Sequence, residues 1–140
     1  SDQAEVAKRS WHASALIGGF IGVTGPASYG TAVDIEIYPP ARFGGNLIAR
    51  DLAGSHGTLV LAGLAFQAAA TRPRLVMSLH ADIGATTGDT VLPAAGGGVR
   101  AQLAVFGPII IGGNLTGHLL LDGIDTTLAI AVTAGAGLAF

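Results

Sequence analysis

Residues 127–140 read TLAIAVTAGAGLAF. Every second residue, Leu128, Ile130, Val132, Ala134, Ala136, Leu138 and Phe140, is apolar. Between them stand Thr127, Ala129, Ala131, Thr133, Gly135, Gly137 and Ala139, all small and uncharged. Strict period-two alternation marks a strand, because successive side chains point to opposite faces. The run exceeds the roughly five or six residues of an ordinary strand. It matches the length that crosses a bilayer as a tilted strand with a short overhang.

Composition narrows what such strands can build. The length suits one domain. Charged residues are 11% of the chain, whereas a soluble domain carries about a quarter. Hydrophobic residues are 50%, beside 22 glycines. No apolar run reaches the roughly 18 residues a membrane helix needs. The best candidate, Leu103 to Leu121, is interrupted by Gly107, Pro108, Gly112, Gly113, Asn114, Gly117 and His118. A closed barrel is the other way across a bilayer, since it satisfies every backbone group without water. There is no cysteine, which excludes disulfides and thiolate metal sites. The net charge of −2 leaves no nucleic-acid footprint.

About eight strands can be read. Trp11 to Val23 is the first, with Trp11, Ala13, Ala15, Ile17, Ile21 and Val23 on one face. After a turn at Gly25 to Ser28, Tyr29 to Ile37 sets Val33, Ile35 and Ile37 against Asp34 and Glu36. Pro39-Pro40 ends it, since proline cannot donate to a ladder. Phe43 to Arg50 is third, a loop is expected at Asp51 to Gly57, and Thr58 to Ala68 is fourth. Beyond Thr71-Arg72-Pro73, the fifth, Arg74 to Ala85, opposes Leu75, Met77, Leu79, Ala81 and Ile83 to Ser78, His80 and Asp82. Thr86 to Gly97 is expected to be the longest loop. Gly98 to Val105, Ile109 to Leu121 and the opening stretch complete the set, with a tight turn at Gly107-Pro108 and a loop at Asp122 to Thr126.

Two barrels fit this alternation: a lipocalin-like one with its apolar face inside, and a membrane barrel with the faces reversed. The interior of about eight strands is just wide enough for side chains. Four or five bulky aliphatics per strand would overfill it, and the opposite face of Gly, Ala, Thr and few charges is too poor for a soluble surface. The apolar face is therefore expected outside. The lumen then collects a polar network of Asp34, Glu36, Arg50, His80, Asp82, Arg100, Gln102, Asn114 and His118, joined by Gln67 and Arg74. Both signs of charge are expected together, because a lone buried charge is costly.

The polar residues admit other readings. His80, Asp82, His118 and Asp122 share a face, which admits a metal or acid–base site; a lumenal network explains the same residues, and no metal, cofactor or catalytic residue is assigned. His12 and Ser14 are spaced as a base and nucleophile might be, yet such a pair is frequent by chance and a triad needs geometry. His56 reads as a solvated loop residue. Asp89, Asp122 and Asp125 read as loop carboxylates, with divalent-cation binding the alternative.

The closing alternation, with Val132, Ala134, Ala136 and Leu138 running into the aromatic Phe140, resembles the last strand of the small outer-membrane β-barrels of Gram-negative bacteria, the OmpA- and OmpX-like class. The resemblance implies an all-β fold, an eight-stranded antiparallel up-and-down transmembrane β-barrel over residues 11–140. It implies an outer-membrane location with both termini periplasmic, residues 1–10 forming a polar periplasmic tail. It makes Phe140 and Leu138 an assembly signal read by the barrel-assembly machinery. With the C-terminus periplasmic, the short connections at Pro39 to Arg42, Thr71 to Pro73 and Gly107-Pro108 fall inside and the longer ones outside, as in such barrels. Trp11, Phe43, Phe66 and Phe140 fall near periplasmic ends as interface aromatics. Tyr38 and Phe106 lie there too, but have inward parity and fit a cap on the lumen equally well. The expected function is non-enzymatic: a structural, anchoring or envelope-assembly role, with outer-membrane lipid, lipopolysaccharide and other envelope proteins as partners, and no nucleic acid. A lipid A- or phospholipid-modifying enzyme and a small solute pore are the alternatives.

Overall fold

The computed structural model describes residues 11–23, 29–39, 41–52, 57–71, 75–87 and 91–140. Its strands are β1 (His12–Gly22), β2 (Tyr29–Tyr38), β3 (Phe43–Leu52), β4 (Thr58–Thr71), β5 (Leu75–Thr87), β6 (Pro93–Phe106), β7 (Ile109–Asp122) and β8 (Asp125–Ala139). Neighbours in sequence pair antiparallel, and β8 pairs with β1, so the sheet closes into an eight-stranded barrel. At the seam, Ala13 and Phe140 exchange backbone hydrogen bonds of 3.0 and 2.8 Å. The start of β1 and the end of β8 lie at what is here the terminal end of the barrel; the β7–β8 turn lies at the far end.

Tracing paired residues around the wall shows how strongly it is sheared. From Gly137 on β8 the circuit passes Leu16, Asp34, Ile48, Leu61, Gly84, Ala94 and Leu120. It returns to β8 at Thr127, ten residues from its start. Such stagger tilts the strands and fixes a narrow lumen for this strand number.

The expected strands are all present, but two loops are not where the sequence placed them. Thr86 to Gly97 is largely strand: β5 continues to Thr87 and β6 begins at Pro93. The glycine run that suggested a loop is instead a place of close backbone approach. A Cβ on Gly96, Gly97 or Gly98 would strike the carbonyl oxygens of Gly117, His80 and Leu115 respectively. Asp122 to Thr126 is likewise a two-residue turn, Gly123-Ile124, with Asp122 opposite Asp125. Gly123 has φ 63 and Gly107, in the β6–β7 turn, φ 54, the positive value that a two-residue hairpin turn needs at its first position. β3 also runs on through Asp51 and Leu52. The far-end connections are thus shorter than expected, and the contrast with the terminal-end turns is small. The expected tail at 1–10, the turn at Gly25 to Ser28, and His56, Arg74 and Asp89 lie outside the described residues.

The alternation sorts side chains cleanly. Outward positions carry exposed aliphatics such as Ile17, Leu64, Ile83, Leu103, Leu115 and Val132. Among the described residues, the exposed charges are Arg42, Asp51, Asp122 and Asp125, and each lies at or beside a strand end. The wall between the two rims bears none.

Close approach makes a direct test. A Cβ on Gly63 of β4 would collide with the carbonyl oxygen of Ala81 on β5, whereas one on Gly117 of β7 meets nothing within 4 Å. Gly63→Ala is expected to cost about 1–3 kcal/mol through strain in a packed wall, and Gly117→Ala to stay within about 0.5 kcal/mol. Urea unfolding of both variants in lipid vesicles checks the difference.

Candidate functional site: the lumenal hydrogen-bond network

The inward parity of each strand sets the membership of the lumen. β1 contributes Ser14, β2 Asp34 and Glu36, β3 Asn46 and Arg50, β5 Ser78, His80 and Asp82, β6 Arg100, β7 Asn114, Thr116 and His118, and β8 Thr133; all are buried. β4 adds no charge and presents Leu59, Leu61 and Ala65.

Two carboxylates act as hubs. Glu36 Oε1 lies 2.9 Å from Arg100 Nη1. The same carboxylate accepts from Ser78 Oγ at 3.0 and 2.9 Å and from the Tyr38 hydroxyl at 3.2 Å. Arg100 Nη1 also donates to Ser14 Oγ at 3.2 Å. Asp82 is the second hub. Its Oδ2 lies 2.7 Å from His80 Nδ1 and 3.0 Å from His118 Nε2, and its Oδ1 accepts from Asn46 Nδ2. The far nitrogen of His80 meets Asn114 Oδ1 at 2.9 Å, and Asn114 Nδ2 donates to Asp34 Oδ2 at 3.0 Å. A chain of contacts thus joins Asp34 on β2 to His118 on β7 through the middle of the barrel.

Arg50 completes the set. Its Nη2 donates to Thr116 Oγ1 at 2.9 Å, and its guanidinium carbon stands 5.5 Å from the centre of the Phe20 ring, a cation–π distance. Apolar residues close over this part of the lumen. Phe20 packs with Ala32 and Ala131, and Ile48, Leu59, Leu61 and Ala94 pack with Leu120 towards the far end. At the terminal end the rings of Tyr38 and His12 stack 5.2 Å apart and Ile110 is buried.

Of the eleven residues expected in the lumen, eight are buried in this network and Arg74 lies outside the described residues; Gln67 and Gln102 are half-buried, and Gln102 Oε1 has no hydrogen-bond partner. Asp122 stands apart at the far-end turn, so it does not join His80, Asp82 and His118. Ser14 faces Arg100 inside the barrel, not a base on the lipid side. The expected network leaves out Ser14, Ser78, Asn46, Thr116, Thr133 and Phe20, although Ser78, Asn46 and Thr116 read as members of the polar face. The signal was available: Asn46, Ser78 and Thr116 share the parity of chosen residues on their own strands, and Ser14, Phe20 and Thr133 oppose the outward sets of β1 and β8.

The expected terminal-end aromatics divide. Trp11, Phe43 and Phe140 are exposed, and Phe43 packs on Phe66 with ring centres 4.8 Å apart. Of the two open cases, Tyr38 turns inward and is 4% exposed, whereas Phe106 turns outward and is 78% exposed. An irregularity between Ala104 and Phe106 shifts the register there and reverses the parity.

The geometry names Glu36 as the partner that Arg100→Ala would strand. That substitution is expected to destabilise the barrel by about 3–5 kcal/mol, because it leaves a buried carboxylate without its cation. Leu115→Arg, central on the outer face of β7, is expected to cost roughly 2–4 kcal/mol if that face meets hydrocarbon. Reversible unfolding in lipid vesicles measures both; a silent Arg100→Ala beside a silent Leu115→Arg would mean that the two faces do different work.

No protein-family model and no curated protein matches the sequence. Solved structures do match in shape. One is Ail, the attachment invasion locus protein of Yersinia pestis, in complex with the heparin analogue sucrose octasulfate: 15% identity, TM-score 0.55, 94% of this chain and 100% of that one covered. Another is Yersinia pestis Ail in a phospholipid bilayer nanodisc, with 11% identity, TM-score 0.55 and the same coverage. At this identity the likeness is one of fold, and the fold is that of the small eight-stranded outer-membrane β-barrels.

Proposed function

We propose that this chain is an integral outer-membrane barrel with a non-enzymatic structural or anchoring role in the envelope, both termini on the periplasmic side. One observation carries the reading: the wall is aliphatic and free of exposed charge between the rims, and the described exposed charges sit at the strand ends. Water would solvate such a wall poorly, and patches of this size mark a surface made for contact; lipid is the contact that also matches the strand lengths. Trp11, Phe43, Phe66 and Phe140 then serve as interface anchors at the terminal end. Phe140 and Leu138 serve as the assembly signal.

The lumen argues against the two alternatives. Arg100, Glu36, Asp82 and Arg50 are tied to partners across it, and apolar residues close over them, so a steady aqueous path is not expected. The lipid-modifying reading needs a Ser–His pair facing the bilayer, and Ser14 is held inside by Arg100. Ail binds a sulfated ligand, but the described far-end rim here bears Asp51, Asp122 and Asp125. Like charge repels a polyanion, so no such ligand is assigned to this chain.

In detergent, the protein is expected to run as a compact band unboiled and as a slower band after heating. In planar bilayers it is expected to give no steady conductance steps, and on labelled outer-membrane lipids no hydrolysis. Orientation is read separately, because the native chain has no cysteine. In intact cells a bulky PEG-maleimide should label Ile124→Cys at the far end, and Phe106→Cys only after the outer membrane is breached. A stable monomer in detergent-free buffer would end the membrane reading, and the reverse labelling pattern would invert the orientation.

A further inference from the structure

Among the described residues, the lumen holds three carboxylates, Asp34, Glu36 and Asp82, against two guanidiniums, Arg50 and Arg100, and none of the five is more than 3% exposed. An uncompensated charge at that depth is costly. With every carboxylate ionised, two cations leave one acid over.

The hydrogen bonds indicate what balances it. Asn114 Nδ2 faces Asp34 Oδ2 at 3.0 Å. An ionised carboxylate only accepts, so the amide must turn its NH2 towards Asp34, which fixes the carbonyl oxygen on the other side. That oxygen lies 2.9 Å from His80 Nε2, while His80 Nδ1 lies 2.7 Å from Asp82 Oδ2. Both ring nitrogens of His80 therefore face acceptors. A neutral imidazole has one N–H to give, and an imidazolium has two.

The surroundings of the ring agree. β2 presents Asp34 and Glu36, β3 Asn46 and Arg50, β5 Asp82, β6 Arg100, and β7 Asn114 and His118, while β4 presents no charge. On β6 the residue nearest the ring is Gly98, where even a Cβ would come within 3.0 Å of His80 Nε2. The position is thus shaped around the ring. His118 needs no second proton to play its part: its Nε2 donates to Asp82 Oδ2, which a neutral ring does with its single N–H.

We propose that His80 is a buried proton-binding site: its imidazolium faces an acceptor at each ring nitrogen, and the described charges of the interior balance only with that proton in place. The proton is then part of the packed barrel, as an ion would be. Its loss leaves one net negative charge among the described residues, shared by Asp34 and Asp82 in the middle of the lumen.

A double-substitution cycle tests the balance. His80→Gln, Asp34→Asn and the pair are refolded into lipid vesicles and unfolded with urea. Each single change is expected to lower the unfolding midpoint, the first by removing a positive charge and the second by removing a negative one. The pair restores neutrality, so it is expected to recover most of the loss caused by His80→Gln. A rival assignment also balances, with Asp34 protonated and His80 neutral. In that case Asp34→Asn alone is nearly silent and the two effects add, which overturns the proposal. Should a variant fail to fold, nitrogen-15 NMR of the unsubstituted barrel at neutral pH decides directly, with the His80 ring assigned by elimination against His12→Gln, His56→Gln and His118→Gln. Two protonated nitrogens on His80 support the site, and a single N–H refutes it.

Discussion

A barrel of eight strands has room inside for side chains and for little else, and the arrangement of this molecule follows from that limit. Bulky aliphatics on both faces would not fit, so the chain sends most of them outward, keeps a few such as Ile48 and Leu61 inside, and fills the rest of the lumen with small or hydrogen-bonding residues. Polar groups buried there are costly unless paired, so each acid is set against donors from strands across the lumen. Glu36 on β2 reaches Arg100 on β6, and Asp82 on β5 reaches His118 on β7 and Asn46 on β3. These contacts span the barrel and tie strands that are not neighbours in the sheet. The same side chains that fill the lumen also brace it.

Much of this was legible in the sequence, because a period of two is a strong signal when one face is aliphatic and the other small. The parity of Asp34, Glu36, Arg50 and Arg100 could be read off directly. Two kinds of information could not. The first is close approach. Gly96, Gly97 and Gly98 read as a loop from their low strand propensity, whereas they are glycine because neighbouring carbonyl groups occupy the space of a side chain. The second is anything that breaks the count. One irregularity beside Ala104 turns Phe106 outward, and nothing in the residue types announces it.

The pairing within the network lay deeper still. Arg100 had three acids to choose from, and the choice of Glu36 depends on the shear of the sheet, which lifts each strand relative to the last. That quantity is a property of the closed circuit and of no single strand. For the same reason the two-residue spacing of His12 and Ser14, suggestive on paper, carries no chemistry in space: Ser14 points at Arg100 across the lumen, and the His12 ring lies on Tyr38.

The seam between β1 and β8 has a consequence for how the molecule comes into being. Seven of its eight strand pairings join neighbours in sequence, and those hairpins are local enough to form quickly. The eighth brings Ala13 to Phe140, across nearly the whole length of the chain. Contacts of such separation form slowly, because the loop they close must first be ordered. Until the seam forms, the sheet has two bare edges, each a template for a strand of another chain. The time between the last hairpin and closure is therefore the interval in which this protein is most exposed to aggregation.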